Sequence, residues 1–136
     1  MRTTPLPGLL CAALLSAPAA AAEPPPLIEV EHVTSRLLAA SIGDAIRRAC
    51  PEISERRLRV RSEALKLYNH AIGLGHTRRS VEAFLDDREA RAEIEGERDA
   101  WLVANGVAPG DVEAHCRVGR REIAEGTYIG SLLRVD

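Results

Sequence analysis

The stretch Leu38-Ala-Ala-Ser-Ile-Gly-Asp-Ala-Ile-Arg-Arg-Ala-Cys50-Pro51 decides the fold class of this 136-residue chain. Apolar side chains recur in it at four-residue intervals: Leu38, Ile42, Ile46 and Cys50. This spacing places them on one face of an α-helix. Thr34 or Ser35 is the predicted N-cap, since both side chains can accept a hydrogen bond from the first turn. Pro51 disfavours helical geometry at the residue before it, so the helix should end at Cys50.

The rest of the chain predicts four further helices, separated by capping and stop signals. The predicted N-cap residues are Ser54, Thr77, one of the pair Asp86 and Asp87, and Asp111. The predicted stops are Gly73 and Gly75, Asn105-Gly106, and Gly126. The apolar stripe expected on the second helix is Leu58, Leu65, Tyr68 and Ile72. Thr127–Leu133 is expected to form a last helical turn. The predicted fold is therefore all-α, a small irregular five-helix domain.

Residues 1–22 have the three parts of a cleavable secretory signal peptide. Arg2 supplies the positive charge, Leu9–Leu15 is the apolar run, and a stretch of small residues ends at Ala22. The apolar run is shorter than the ~20 residues that span a bilayer, so we expect cleavage, a periplasmic location and no stable membrane insertion. Residues 23–33 contain three consecutive prolines and are predicted to be an extended lead-in. Residues 34–136 are the predicted helical domain.

Two cysteines remain once the predicted signal peptide is removed: Cys50 and Cys116. A pair of cysteines in an exported small domain usually forms a disulfide. The alternatives are a redox pair or a thiolate metal site, although no C-x-x-C spacing supports either. A disulfide would require the end of the first helix to touch the start of the fifth.

Composition excludes several classes of partner. The chain has 18 basic and 20 acidic residues, a net charge of −2. This weak acidity predicts no nucleic-acid binding and no attraction to anionic membranes. With one Phe, one Trp and two Tyr in the chain, the core must come from aliphatic side chains, and it should be thin at this length.

Candidate catalytic and metal sites are weak. His32, His70, His76 and His115 lack the spacing of a metal motif, so no metal or other cofactor is predicted. Asp86-Asp87 and the glutamates of the fourth helix could suggest acid–base chemistry. They lie on the most polar helix, where a solvated face is the ordinary explanation, and we expect no enzyme activity.

Two segments could form an interaction surface. The first is an arginine cluster, Arg56, Arg57, Arg59 and Arg61, which could dock an acidic partner or be a solvated face paired with nearby glutamates. The second is the C-terminal apolar segment with Ile129, Leu132 and Leu133, which could be an exposed patch or a tail packed on the core. Gly119, placed within the fifth helix at a cost of ~1 kcal/mol, predicts a close approach of another element.

Several short motifs occur in an order that resembles a known family. They are Arg47-x-x-Cys50, Leu74-Gly-His-Thr77, Phe84-Leu-Asp-Asp87, Asn105-Gly-Val107, Cys116-x-x-Gly-Arg-x-Glu-Ile-Ala124 and Ile129-Gly-Ser-Leu-Leu133. This chain resembles the domain of unknown function 5333 family of small exported bacterial proteins from about Ile42 to Arg134. It departs from the family pattern at His76, where an aromatic residue is expected, and at Ser80, where an acid is expected.

The resemblance implies the same two-cysteine framework and no known activity. It also implies, through genes near respiratory complex I, an accessory role.

We therefore expect a non-catalytic interaction or accessory protein whose partner is another periplasmic or membrane-complex protein. A holdase-like stress chaperone of the periplasm and a small ligand-binding protein are the two alternatives.

Overall fold

The computed structural model describes residues 17–136. The predicted signal peptide lies outside the described residues except for its last six, which are exposed and have no regular secondary structure. From there the elements run in chain order as a short 3₁₀ turn Leu27–Glu29, α1 Glu31–Ala49, β1 Ile53–Glu55, α2 Arg57–Gly73, α3 Arg78–Asp86, α4 Arg88–Ala104, α5 Val112–Glu125, α6 Tyr128–Ser131 and β2 Leu133–Val135. The fold is predominantly helical, as predicted, with six helices and one small sheet over the described residues. None of the helices in this part of the chain is long and apolar enough to cross a membrane.

The first helix begins earlier than predicted. Its N-cap is Val30, with no side-chain cap, and the predicted cap Thr34 lies inside the first turn, where its backbone N–H donates to the carbonyl of Val30 at 3.0 Å. Burial explains the difference, because Leu27 of the 3₁₀ turn and Val33 of α1 are both buried in the same core cluster. The prediction that residues 27–33 are extended is therefore wrong. The end of α1 at Ala49, with Cys50 extended before Pro51, is confirmed.

A two-stranded antiparallel sheet replaces two of the predicted features. β1 pairs with β2 in the register Ile53↔Val135, Ser54↔Arg134 and Glu55↔Leu133. Ser54 is therefore a strand residue and not the cap of α2, whose N-cap position is Arg56 without a side-chain hydrogen bond. The predicted last helical turn is shorter than expected, since α6 ends at Ser131 and the chain continues as β2. Strands of three residues are too short for an alternating pattern to be visible in the sequence.

The other predicted helix boundaries are confirmed. Thr77, Asp87 and Asp111 each accept a hydrogen bond from the backbone N–H three residues on, as N-caps do. At Gly126, φ is +64°, a left-handed conformation that ends α5 and that glycine adopts without steric cost.

The core is divided into two clusters. The first surrounds the Cys50–Cys116 disulfide, whose Cα atoms are 5.1 Å apart. It joins α1, α5 and the two strands through Ile42, Ile46, Ile53, Val118 and Leu133 among others. The second is smaller and holds the N-terminal segment against α2 and α3 through Leu27, Val33, Ala71 and Val81. The predicted disulfide is confirmed, and it lies in the larger cluster.

Gly119 lies where α5 crosses the end of α1 and β1. A Cβ atom added at this position would lie 2.6 Å from Cγ2 of Ile46 and 2.4 Å from Cδ1 of Ile53. Both isoleucines are nearly or fully buried, so neither can move away without disturbing the core. The close approach that the glycine predicted is confirmed.

Gly119→Ala should lower the free energy of unfolding by about 1–3 kcal/mol, since the added methyl group overpacks this crossing. Gly96→Ala is the matched control, because Gly96 lies in α4 and an added Cβ meets nothing within 4 Å. The control should be neutral or more stable by about 0.5–1 kcal/mol, from the loss of backbone freedom in the unfolded chain. Urea unfolding of the two variants measures the difference. Equal effects of both substitutions would contradict the proposed crossing.

Removing the disulfide should lower the free energy of unfolding by about 2–5 kcal/mol, because a closed loop with a sequence separation of 66 restricts the unfolded chain. The test compares oxidised protein, protein reduced with a thiol, and the Cys50→Ser/Cys116→Ser variant in urea. The reduced protein is the control, since it keeps both side chains. An unchanged unfolding midpoint after reduction, or two free thiols in the denatured mature protein before reduction, would overturn a structural role for the disulfide.

Candidate functional site

Three of the four predicted arginines lie on one concave surface, which we call the arginine concavity. Its volume is about 710 Å³ and its lining residues are Arg47, Ile53, Ser54, Glu55, Arg56, Arg57, Leu58, Arg59 and Arg134. Three separate parts of the chain contribute: the end of α1, the β1–α2 segment and β2. Arg61 is exposed but does not line it. Sequence reasoning missed Arg47 and Arg134, because only the β1–β2 pairing brings them to the cluster.

The guanidinium groups of the concavity are only partly neutralised. Arg47 forms an ion pair with Asp44 at 2.5 Å, and Arg59 lies 3.4 Å from Glu63. Arg57 has its nearest carboxylate oxygen, on Glu55, at 3.8 Å and is 87% exposed. Arg56 donates to the backbone carbonyl of Ser131 at 3.4 Å. The concavity thus combines five arginines with one lining carboxylate, that of Glu55. Three further carboxylates outside the lining pair with its arginines: Asp44 with Arg47, Glu63 with Arg59, and Asp136 with Arg134 at 3.5 Å.

The C-terminal apolar segment is not a surface. Ile129, Leu132 and Leu133 are all buried. Ile129 and Leu133 belong to the larger core cluster, and β2 is paired with β1. The hypothesis of an exposed patch is wrong, and the alternative, a tail packed on the core, is confirmed. The physical reason is the short helix α6, which turns the chain back so that its apolar side chains face α1 and α5.

The packing of α2 differs from the predicted stripe. Leu58, Leu65 and Ile72 are exposed, at 82%, 60% and 39%, whereas Tyr68, the fourth residue of the predicted stripe, is half-buried and packs against the smaller core cluster as predicted. The inward face is instead formed by Val60, Leu67 and Ala71, with Ala64 at its exposed edge, and these four also recur at helical spacing. The helix therefore has apolar residues on two opposite faces. The direction in which the chain leaves β1 decides which of the two faces of α2 packs inward. The backbone N–H of Arg56, just before α2, donates to the carbonyl of Leu132 at 2.8 Å and holds the chain in this direction.

A second concave feature lies behind this inward face, and we call it the apolar cavity. It has a volume of about 190 Å³ and is bounded by the 3₁₀ turn, α1, α2, α3 and α6. Its lining is apolar except at one end, where Arg36, Glu63 and Tyr128 meet. Sequence reasoning missed this cavity. The available signal was the pair of alanines Ala64 and Ala71 on this side of α2, which fill less space than the leucines on the outward face.

The polar end of the cavity is a network of three side chains. The Tyr128 hydroxyl donates to Oε2 of Glu63 at 3.3 Å. The guanidinium carbon of Arg36 lies 3.9 Å from the centre of the Tyr128 ring, a cation–π contact. Burial, followed by the charge of Glu63, raises the pKa of Tyr128 above its ordinary value of 10.0. The hydroxyl is therefore protonated at neutral pH and acts as a donor.

Glu63 connects the cavity to the basic face of α2. It accepts a hydrogen bond from Lys66 at 2.9 Å and lies 3.4 Å from Nε of Arg59. The hydrogen bond from Lys66 lowers the pKa of Glu63 below its ordinary value of 4.5. Partial desolvation raises the pKa, whereas the charges of Lys66 and Arg59 lower it further. Glu63 thus links α2 to α6 as an anion.

The histidines have structural contacts. Nε2 of His76 donates to the carbonyl of Pro25 at 2.9 Å, which holds the proline-rich arm against the α2–α3 turn. Nδ1 of His115 donates to the carbonyl of Asp111 at 2.6 Å in the first turn of α5. The rings of His32 and His70 lie 4.6 Å apart. Within residues 17–136, the one group of three or more metal-ligating side chains is Cys50, Glu52 and Cys116. The disulfide occupies both sulfurs of this group.

The motif residues of α5 and α6 hold the C-terminal segment in place. A Cβ added at Gly130 would clash with the backbone carbonyl of Glu122, so only glycine permits this approach of α6 to α5. Glu122 is buried and accepts hydrogen bonds from Thr127 at 2.6 Å and Arg121 at 2.8 Å. Arg121 also donates to Oδ1 of Asn105 at 2.7 Å. These motifs are explained by packing and capping.

The fold and its two concave features define a small disulfide-bonded helical protein with a charged surface site and an apolar internal site. Residues 25–134 match the model of the family of unknown function DUF5333, and the chain belongs to this family. The resemblance seen in the sequence is confirmed, and the match begins further towards the N-terminus than Ile42. No curated protein and no solved structure matches the chain.

His76 and Ser80, the two positions at which the resemblance leads us to expect other residues, form a single contact. Nδ1 of His76 and Oγ of Ser80 lie 3.2 Å apart. Ser80 also completes the capping box of α3, since its hydroxyl oxygen accepts from the N–H of Thr77 at 3.0 Å. The pair therefore joins the α2–α3 turn to the first turn of α3.

The lowered pKa of Glu63 predicts a pH-dependent contribution to stability. The contribution is complete at pH values above 4.5, the ordinary pKa of a glutamate. It is lost as the pH falls through the lower pKa that Glu63 has in the folded protein. The melting temperature of Glu63→Gln should therefore fall less steeply than that of the wild type between pH 6 and pH 3, two values chosen to bracket this range. The control is Glu97→Gln, an exposed position in α4. If the melting temperatures of wild type and Glu63→Gln fall equally steeply with pH, the role of this carboxylate is contradicted.

Proposed function

We propose that this protein is an exported, non-catalytic interaction or accessory protein. Its partner would be another periplasmic or membrane-complex protein with an acidic surface. The arginine concavity carries the proposal, because five arginines from three parts of the chain surround one shallow volume with a single lining carboxylate. The disulfide supports an oxidising compartment.

The chemistry of the concavity favours carboxylate recognition. A guanidinium group presents paired N–H donors that match the two oxygens of a carboxylate. Within residues 17–136, Arg56 forms no ion pair and contacts a backbone carbonyl, while Arg57 forms a long, solvent-exposed ion pair with Glu55 at 3.8 Å. Both can therefore bind Asp or Glu side chains of another protein.

An apolar anchor stands beside these charges. Leu58 lines the concavity and is 82% exposed. Interfaces commonly combine a buried apolar or aromatic anchor with arginines at its edge. Leu58 would be covered by a partner whose acidic residues contact Arg56 and Arg57, so the concavity supplies both parts of such an interface.

The proposal is tested by affinity capture in the native host. The full chain is expressed with an affinity tag between Ala22 and Glu23, and complexes are crosslinked before extraction. The recovery of a stoichiometric partner should fall at least about tenfold with Arg56→Glu/Arg57→Glu. Reversing two charges that the partner covers costs several kcal/mol of binding free energy. Its recovery without crosslinking should also fall when salt is raised from about 0.1 to 1 M, because screening shortens the Debye length.

Arg78→Glu/Arg79→Glu is the matched control. It makes the same change of charge on α3, away from the concavity, and should leave the partner bound. Equal losses in both double variants, or a partner retained by Arg56→Glu/Arg57→Glu, would overturn docking through the concavity.

A holdase-like chaperone is the second candidate, and the exposed face of α2 favours it. Leu58, Leu65 and Ile72 recur at seven-residue intervals on the outward face, as an amphipathic binding surface would. In the same capture experiment this function predicts many substoichiometric clients that survive Arg56→Glu/Arg57→Glu. Those clients should be lost with Leu58→Ser/Leu65→Ser.

A further inference from the structure

The apolar cavity is a partly open volume between the helices of a small domain. Protein interiors usually contain few voids larger than a water molecule. A cavity of about 150 Å³ lined by aliphatic and aromatic groups stays dry and can bind benzene. At about 190 Å³, this cavity is slightly larger and can hold an apolar group of about six to eight carbon atoms.

The cavity is accessible from outside. Three of its lining residues are also exposed on the surface: Ala40 on α1, Ala64 on α2 and Leu85 on α3. A ligand can therefore enter between these helices without unfolding the domain. The opposite wall, formed in part by Leu27, Val33 and Ala71, is buried and belongs to the smaller core cluster. The volume thus has an apolar floor and an opening.

The charge at the polar end selects the ligand. Glu63 is already compensated by Lys66 and Arg59. Arg36 forms no salt bridge with any residue in the range 17–136, and its contact is with the face of Tyr128. A guanidinium group held on an aromatic ring keeps N–H donors in its plane for an acceptor. The cavity therefore has an uncompensated cation beside an apolar volume.

We propose that the apolar cavity binds a small amphiphile, with an apolar body of about six to eight carbons in the cavity and a carboxylate on Arg36. A medium-chain carboxylic acid has this chemistry. The site shares no lining residue with the arginine concavity, and the Arg59–Glu63 ion pair at 3.4 Å is the contact that joins the two. The proposal therefore goes beyond the docking function and does not rest on it. A charged partner can bind whether or not the cavity is filled.

The test uses octanoate and octan-1-ol as probes with the full mature chain. Octanoate should bind saturably, with a dissociation constant on the order of 0.1–1 mM, as its size allows. Octan-1-ol, which lacks the charge, should bind at least about fivefold more weakly, because a charge-assisted hydrogen bond is absent. Calorimetry and chemical shift changes of Tyr128 report the binding.

Substitutions separate the two parts of the site. Ala64→Leu fills the cavity from an exposed helix position and should weaken both probes about tenfold or more, since it excludes the apolar body. Ala40→Leu is the second filling variant, in case either substitution perturbs folding. Ala100→Leu, an exposed position of α4 outside the cavity, is the matched control and should leave binding unchanged.

Arg36 is tested by its conservative and neutral variants. Arg36→Gln should remove the preference for octanoate over octan-1-ol, while Arg36→Lys should keep most of it, because the lysine retains the charge. The proposal is overturned if octanoate does not bind, if both filling variants bind it like wild type, or if the preference survives Arg36→Gln. Circular dichroism of each variant confirms that the fold is intact.

Discussion

The disulfide between Cys50 and Cys116 joins the two ends of the fold. It attaches the end of α1 to the second turn of α5, and the chain on both sides is then held close by packing. Three residues beyond Cys116, Gly119 permits α5 to lie against Ile46 and Ile53. On the other side of Cys50, β1 follows within three residues and pairs with the C-terminal strand. The crosslink thus stabilises the part of the molecule in which the N-terminal and C-terminal thirds meet.

Both concave features result from this arrangement. The β1–β2 pairing brings Arg134 to the β1–α2 segment, where it joins Arg56, Arg57 and Arg59. The same pairing sets the direction of α2, whose small inward residues then leave a volume against α1 and α3. α6 completes that volume by placing Tyr128 beside Arg36 and Glu63. One site is therefore charged and open, and the other is apolar and partly enclosed, although both depend on the same short sheet.

The motifs that carry the resemblance to the family are mostly explained by structure. Gly119 and Gly130 permit close approaches, Thr77 and Asp87 cap helices, and Glu122 is a buried acceptor. By contrast, the arginine concavity and the apolar cavity are built largely from residues outside these motifs. The motif residues therefore form mostly the framework of the protein, while most residues that line the two concave features lie outside the motifs, on α1, α2 and the strands.

The sequence by itself determined the all-α class, the helix caps at Thr77, Asp87 and Asp111, the stop at Gly126 and the cysteine pair. These depend on local backbone chemistry and on the number of cysteines, which can be read without knowing any long-range contact. Only the tertiary structure decided which face of α2 turns inward, that Ser54 is a strand residue, and that Ile129, Leu132 and Leu133 are buried. α2 has apolar residues on two faces, so its helical period alone cannot choose between them. The choice follows from the pairing of residues about 80 positions apart, such as Ser54 and Arg134, which local sequence patterns do not encode.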